Sequence, residues 1–503
     1  MSLRKDVLAN YLGQGWSALI GIAFVPLYIK YLGVESYGLI GIFMVMQGWL
    51  ALLDMGVTPT LNREMARFSA GAHSPQSIRD LLRSLEILSL CIAALVAVGL
   101  WAASGWLARD WLNSGALPTP VVAQAISIMA FVVALRLIEG IYHGSLFGLQ
   151  RQVWYNTTNA VLATARSGGA AALLIWGSPT IQAFFLWQVC FSLFSVAVYA
   201  SKVHRTLPKS PRVPKFSREA LAGIGRFAGG VMGITFLAVL LTQIDKVLLS
   251  RLITLESFGY YALAAAVATV IYMVTGPIDN AIYPRMVKLA TQGDVDGLAA
   301  IYHQSAQLIT VLTAPAALLL VFFADGVVFM WSGNSALAAN TGPILSVLAL
   351  GTFLNGLMHI PYQLQLAHGW TRLAIKTNVV AVTVLIPAIL WVVPYYGAVG
   401  AAWVWVALNS GYVLIHIQFM HQRLIPNEKS RWYFGDVLIP AVGAASVVLL
   451  AQQFQPASHQ NRLAWLAFLI ITGCLALVAS TAMAKRTRLL LLAAVRNAFH
   501  VPT

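Results

Sequence analysis

The sequence predicts an all-α polytopic membrane protein of about fourteen transmembrane helices: two six-helix bundles related by an internal parallel repeat, plus two C-terminal helices. Three observations carry that prediction. Hydrophobic residues make up 59% of the chain and charged residues only 10%, a balance that leaves no ordinary soluble domain visible. Apolar runs of roughly twenty residues, the length a helix needs to cross hydrocarbon, recur from end to end. Short motifs of the first half return, in order, in the second.

The expected spans are 8–30, 38–57, 81–106, 121–147, 157–177, 181–201, 224–250, 259–283, 304–331, 343–366, 377–394, 398–421, 437–454 and 463–484. Met1 to Lys5 is short and basic, and the apolar run behind it lacks a small-residue cleavage pattern, so it reads as an uncleaved first span. Cys91, Cys190 and Cys474 each fall inside an apolar span and are read as buried free thiols, with no disulfide framework and no metal site. With the N-terminus inside, the inward loops hold Arg63, Arg67, Arg79, Arg83, Arg205, Lys209, Arg285, Lys288 and Arg423 among others, whereas the outward connections hold only Lys30, Arg109, Arg251 and Arg462. This asymmetry places both termini in the cytoplasm. Much of the net charge of +15 is then a topology signal and not a nucleic-acid footprint, each loop cation anchoring to membrane lipid headgroups.

The basic loop Lys202 to Arg218, with Pro208, Pro211 and Pro214, reads as an extended cytoplasmic linker between two similar halves. Glu35-Ser36-Tyr37-Gly38 recurs as Glu256-Ser257-Phe258-Gly259, and Met65-Ala66-Arg67 at the same offset as Met286-Val287-Lys288. A slightly shifted register pairs Gly140 and His143 with Gly356 and His359. Six is even, so the copies run in the same direction. The expected organisation is an N-lobe bundle (1–205), a basic linker (206–222), a C-lobe bundle (223–423), and two extra spans with a cytoplasmic amphipathic tail (424–503).

Asn10-Tyr11-Leu12-Gly13, Pro26-Leu27-Tyr28, Gly33-Val34-Glu35-Ser36-Tyr37-Gly38 and Leu53-Asp54-Met55-Gly56 together resemble the polysaccharide transporter family, which includes the Wzx-type O-antigen flippases. That family shares a superfamily with MATE exporters and the lipid II flippase MurJ. The resemblance implies a V-shaped pair of bundles in the bacterial inner membrane that open alternately to either side. It implies as cargo an undecaprenyl-pyrophosphate-linked oligosaccharide, with a polysaccharide polymerase and a chain-length regulator as partners and no cofactor.

The residues can be set against such a cargo. Arg136, Glu139, Gly140 and His143 share one helical face in the middle of an apolar span. A mid-bilayer arginine costs about 3 kcal/mol to insert, and a wet cationic cavity facing an anionic headgroup would repay it. Arg166 in the fifth span and Arg226 and Lys246 in the seventh are further candidates for a cationic lumen, although Arg226 and Lys246 could instead snorkel to an interface. Glu139, Asp54, Asp245 and Asp279 could hold a coupling proton or cation, or act as static partners; the static reading is preferred for Asp54 and Asp279. Glu139 can pair with Arg136, whereas adjacent Asp245 and Lys246 are not expected to face each other. His143 and His359 occupy matching positions and either titrate or complete an amphipathic ring near the inner mouth.

Gly225, Gly229 and Gly233 form two small-xxx-small steps suited to close helix packing. Pro26, Pro277, Pro315, Pro361 and Pro387 predict kinks. The last two spans lie outside the repeat, as in the lipid II flippase by resemblance, and Lys485 to His500 predicts a short helix on the inner leaflet. A cation-coupled MATE-like exporter of small amphipathic molecules is the alternative function, and it would favour an acidic lumen. An enzyme ranks last, since no nucleotide-binding loop, catalytic triad pattern or metal-ligand spacing is present in the sequence.

Overall fold

A computed structural model describes residues 13, 15–273, 275–456 and 461–489, without the side chains of 220, 223–231, 233, 234, 237, 238, 277 and 280. Arg226, the Gly225–Gly229–Gly233 steps, Pro277, the 10–12 motif and the tail beyond 489 therefore lie outside the described residues. The described residues are mostly helical, their single extended pairing being a bridge between Asn113 and Thr254.

In chain order the first helices are α1 (Gly15–Leu32), α2 (Val34–Leu53), α3 (Val57–Ser69), α4 (Pro75–Trp106), α5 (Thr119–Gly148), α6 (Gln152–Trp176), α7 (Ile181–Thr206) and α8 (Arg218–Leu252). Then come α9 (Leu255–Ala268), α10 (Thr275–Gln292), α11 (Val295–Phe322), α12 (Ala324–Ser332), α13 (Ser335–Leu357) and α14 (His359–Ala367). The last four are α15 (Arg372–Gly411), α16 (Ile417–Leu424), α17 (Ile439–Ala451) and α18 (Arg462–Met483). Among the described residues, 11 helices are long and apolar enough to cross a membrane. Length and composition thus select eleven segments among the described residues where fourteen spans were expected. The expected spans 377–394 and 398–421 lie on one continuous 53-residue helix, Arg372–Leu424, broken at Gly397, where φ is 56°. The expected span 157–177 falls on α6, which is outside that set and carries Asn156, Thr157, Thr158, Asn159, Thr164 and Arg166, which dilute its hydropathy; the expected span 224–250 falls on α8, much of which lies outside the described residues.

The chain forms two compact units, Met1–Gly259 and Tyr260–Thr503. In the first, the helix of the second expected span ends a few residues early and turns. Helix α2 ends at Leu53, Gly56 takes a left-handed φ of 74°, and α3 restarts at Val57; a side chain at Gly56 would be strained. The repeat has its own interruption, where α9 passes into a tight 3-10 turn over Thr269–Met273 before α10 begins at Thr275. Neither Pro315 nor Pro387 ends its helix. Pro26 sits in the first turn of a helix restarting at Val25, where the missing N–H costs nothing.

Helix α5 is the axis of the first unit. Its Gly140, Gly144 and Gly148 stack one turn apart against α3: an added Cβ would lie 2.9 Å from Thr58 Oγ1, 2.4 Å from Thr58 O and 2.3 Å from Asn62 O, respectively. The absence of side chains lets the two backbones touch. Around this seam, Leu61, Met65, Leu82, Leu85, Ile141, Leu146, Tyr199 and Val203 form a buried apolar core. At the other end of α2, the Glu35 carboxylate accepts the backbone N–H groups of Gly115, Ala116 and Leu117 at 2.6, 2.9 and 3.0 Å. Leu255 N donates to Asn113 O at 2.8 Å, and Trp111 Nε1 donates to Ser250 Oγ at 3.0 Å. The loop after α4 therefore ties the start of α2 to the end of α8.

Residues 208–217 run without helix and are strapped to α4: Arg79 donates to the carbonyls of His204, Leu207 and Pro208, and Asp80 accepts Lys215 N. In the second unit, His303 on α11 bridges Asp436 and Glu428, the latter pair at 2.8 Å, so the start of the thirteenth expected span is fastened to the ninth. Residues 485–489 are helical, and Arg486 N and Thr487 N donate to Gln307 Oε1 at 2.9 and 3.0 Å. The three cysteines, expected to be buried, are all exposed on the helix surface.

Candidate functional site

The break between α2 and α3 opens a cavity of about 320 Å³ against α5, bordered by Asp54, Thr58, Arg136, Gly140, His143 and Thr235 of α8 among others. Arg136 and His143 lie two turns apart on α5, and the missing side chain of Gly140 between them brings α3 close while leaving Asp54 and Thr58 at the rim. Three of the four residues read as one face of the fourth span thus reach the same cavity.

Arg136 keeps 19% of its side chain exposed and Nη1 donates to Glu139 Oε2 at 3.2 Å, one turn along the helix. Glu139 is buried. The pair offsets part of the cost of placing a guanidinium inside the membrane. It does not saturate the arginine: Nε is buried and finds no acceptor among the described residues. Arg166 lies behind, with Nη2 donating to Ser195 Oγ at 3.2 Å and its guanidinium 5.4 Å from the Phe191 ring centre. Its Nε is likewise buried without an acceptor among the described residues. Arg136 and Glu139 are both near enough to act electrostatically on Arg166. One carboxylate therefore serves two guanidinium groups, and the locality carries net positive charge.

The acidic and imidazole candidates separate. Asp54 is held by α3: Oδ1 accepts Thr58 Oγ1 at 2.7 Å, and Oδ2 accepts Thr58 N at 3.0 Å. It caps a helix start and faces the cavity at once. His143 is wedged between aromatic rings, 4.6 Å from Tyr155 in a near-parallel stack and 4.5 Å edge-on from Phe147. Its repeat counterpart differs: His359 Nδ1 meets Asp279 Oδ2 at 2.6 Å in the second unit. Asp279 occupies the place of Thr58 at the offset that pairs Glu35 with Glu256, so at each interruption a polar side chain beyond the break meets the helix corresponding to α5. Lys246 curls onto its own helix, with Nζ 2.8 Å from Thr242 O and 3.4 Å from Asp245 Oδ1. The expectation that these neighbours would not meet is corrected, because a four-carbon stem can fold back although the Cβ atoms diverge.

Sequence reasoning missed Thr58 and Thr235. Nothing in hydropathy marks a threonine, and only the Asp54-Met55-Gly56 interruption of an apolar run signalled that the chain bends there.

The polysaccharide biosynthesis protein family model matches residues 3–290. A candidate O-antigen transporter of Shigella flexneri is 20% identical over 405 residues, covering 80% of this chain and 94% of that protein. The lipid II flippase MurJ in an inward closed conformation superposes with a TM-score of 0.72 at 14% identity, over 95% of this chain and 98% of its own. A multidrug resistance MATE family transporter of the MOP superfamily, in its inward-facing conformation, gives a TM-score of 0.64 at 15% identity over 81% of this chain and 94% of its own. At such identities these two structures speak to fold alone. The match to more than half of the sequence settles the grouping: the chain belongs to the polysaccharide biosynthesis protein family, a multi-pass membrane transport protein and not an enzyme.

Proposed function

We propose that this protein moves an undecaprenyl-pyrophosphate-linked oligosaccharide, such as an O-antigen repeat unit, from the cytoplasmic to the outer leaflet of the bacterial inner membrane by alternating access. Both termini are cytoplasmic in this reading. The 1–205 and 223–423 bundles are the moving halves, 206–222 is their tether, and a polymerase and chain-length regulator act on the delivered product. The observation that carries the reading is the partly unsatisfied Arg136 on the wall of a cavity formed where a membrane helix breaks.

A diphosphate needs cationic donors to leave water, since an unpaired buried charge costs many kcal/mol. Arg136 supplies them, and Arg166 raises the positive potential from behind. Asp54 is committed to Thr58, and among the described residues bordering this cavity it is the only carboxylate. That weighs against the acidic lumen an exporter of cationic drugs would use.

The test is genetic. In a strain lacking this gene, lipid-linked oligosaccharide should accumulate on the cytoplasmic side and surface glycan should vanish. The wild-type gene should restore both, and Arg136→Ala at equal membrane abundance should restore neither. Unchanged surface glycan in the deletion strain would sink the proposal.

A further inference from the structure

A second cavity, of about 590 Å³, lies entirely within the first unit. Its wall is almost wholly apolar, drawn from Trp49 and Leu53 on α2, Gly99 and Leu100 on α4, Val133 on α5 and Val247 on α8 among others, with Trp106 and Trp111 toward one end. That volume is in the range of ligand sites, about 300–1,000 Å³.

Its position relative to the Arg136 cavity gives it meaning. Both cavities run along α2 and α5. On α5 the apolar one is lined from Ile126 to Val133 and the polar one from Arg136 to His143, while on α2 their linings interleave, Trp49 and Leu53 in the apolar one and Leu50, Ala51 and Asp54 in the polar one. Val133 and Arg136 are one helical turn apart, about 4.5 Å of rise. A cationic chamber and an apolar slot are thus neighbours along α5, the slot reaching further toward the α2 start and the chamber further toward its end.

We infer that the slot holds the head-proximal isoprene units of the lipid-linked cargo while its diphosphate meets Arg136. This rests on the function proposed above. A lipid of the inner leaflet carries its head toward the cytoplasm and its chain toward the bilayer centre, which is the order of the two cavities under the topology read from the charges. One slot beside one cationic chamber suits a lipid with a single chain per head, as polyprenyl diphosphates have and glycerophospholipids do not. The slot has room for a few isoprene units, and the remaining chain leaves at the flank, where Leu95 is 73% exposed. The driving force is burial of apolar surface against three indoles and aliphatic side chains.

Gly99 makes the idea testable. It lines the slot, and a Cβ added there would lie more than 4 Å from any neighbouring heavy atom, so a side chain at this position grows into the slot and not into a packed helix. The experiment measures binding of geranylgeranyl diphosphate and dimethylallyl diphosphate to the full-length protein in nanodiscs. The wild type should prefer the longer probe by about tenfold or more. Gly99→Trp should abolish that preference without changing dimethylallyl diphosphate binding, Gly99→Ala should keep it, and Arg136→Ala should weaken both probes. Leu100→Phe on the same wall carries the same prediction as Gly99→Trp if that variant does not reach the membrane.

A preference that survives both fillings overturns the slot, while leaving the Arg136 reading intact if Arg136→Ala still loses both probes. Displacement of geranylgeranyl diphosphate by dioleoylphosphatidylglycerol at equal concentration would also overturn it, assigning the slot to bulk lipid. Conversely, loss of chain preference in Gly99→Trp with no effect of Arg136→Ala would uphold the slot and refute the headgroup site.

Discussion

Gly38 and Gly259, the last residues of the two copies of the Glu-Ser-aromatic-Gly motif, each press against the helix start that bears the other. A Cβ on Gly38 would lie 2.3 Å from Leu255 O, and one on Gly259 would lie 2.5 Å from Val34 O. The repeated motif is therefore a reciprocal contact between α2 and α9, with the Glu35 carboxylate pinning the adjoining loop. Gly38→Val should separate these starts. In a cysteine-free background carrying Ser36→Cys, buried in the wild type, membrane-impermeant maleimide should label position 36 faster when Gly38→Val is added. Equal labelling rates would show that the contact does not close this end.

The seam between α5 and α3 should be intolerant of any side chain. Gly148→Ala places a Cβ 2.3 Å from Asn62 O, a backbone atom that cannot rotate away. Overpacking of this kind costs about 1–3 kcal/mol. Purified Gly148→Ala should melt at lower temperature than wild type, and Gly144→Ala likewise, while Gly99→Ala, with open space around it, should not. Equal melting of all three would refute the close-packed seam.

Glu64, on α3 beyond the membrane-spanning part, accepts Arg67 Nη1 at 2.9 Å and lies 2.8 Å from His73 Nε2. Burial raises its pKa, but the His73 and Arg67 contacts outweigh burial and leave the carboxyl below its ordinary value. A lowered folded-state pKa means a stabilising contribution fully present above the unfolded carboxylate range and lost as pH falls through the folded value. Glu64→Gln should therefore lower the melting temperature at neutral pH and flatten the acid limb of a melting-temperature profile. An acid limb identical to wild type would remove the assignment.

How much of this was legible before the fold was known varies by feature. Hydropathy showed the spans because a lipid-facing helix must be apolar along its length, and the repeat is visible as sequence at Gly38 and Gly259, which make matching contacts. The face joining Arg136, Gly140 and His143 was legible from helical spacing. The turn at Gly56 showed only as the Asp54-Met55-Gly56 interruption of an apolar run, which marked Asp54 as a boundary residue and gave no sign of the cavity it borders. Arg166 was visible as an intramembrane cation, but its placement behind Arg136 depends on how α6 and α7 pack, which no local pattern encodes.

In the second unit, Asp436→Ala should loosen the last spans. It removes one of the two carboxylates on fully buried His303, and leaving a buried polar group without its partner costs about 1–3 kcal/mol. Because Glu428 remains, the loss should fall at the lower end, read as a lower melting temperature with earlier proteolysis of the 425–430 connection. Wild-type melting would show that the cluster does not fasten α11 to the helices after it.

The central claim is that Arg136 receives the charged head of a lipid-linked glycan, and purified protein in liposomes tests it most directly. Vesicles loaded with a fluorescent undecaprenyl-pyrophosphate-linked oligosaccharide should expose label to an external lectin at a rate set by the wild-type protein. Arg136→Ala should fall to the protein-free rate and Arg136→Lys should retain part of the activity, since a point charge keeps the attraction but loses the planar fork. Wild-type flipping by correctly inserted Arg136→Ala would contradict the account.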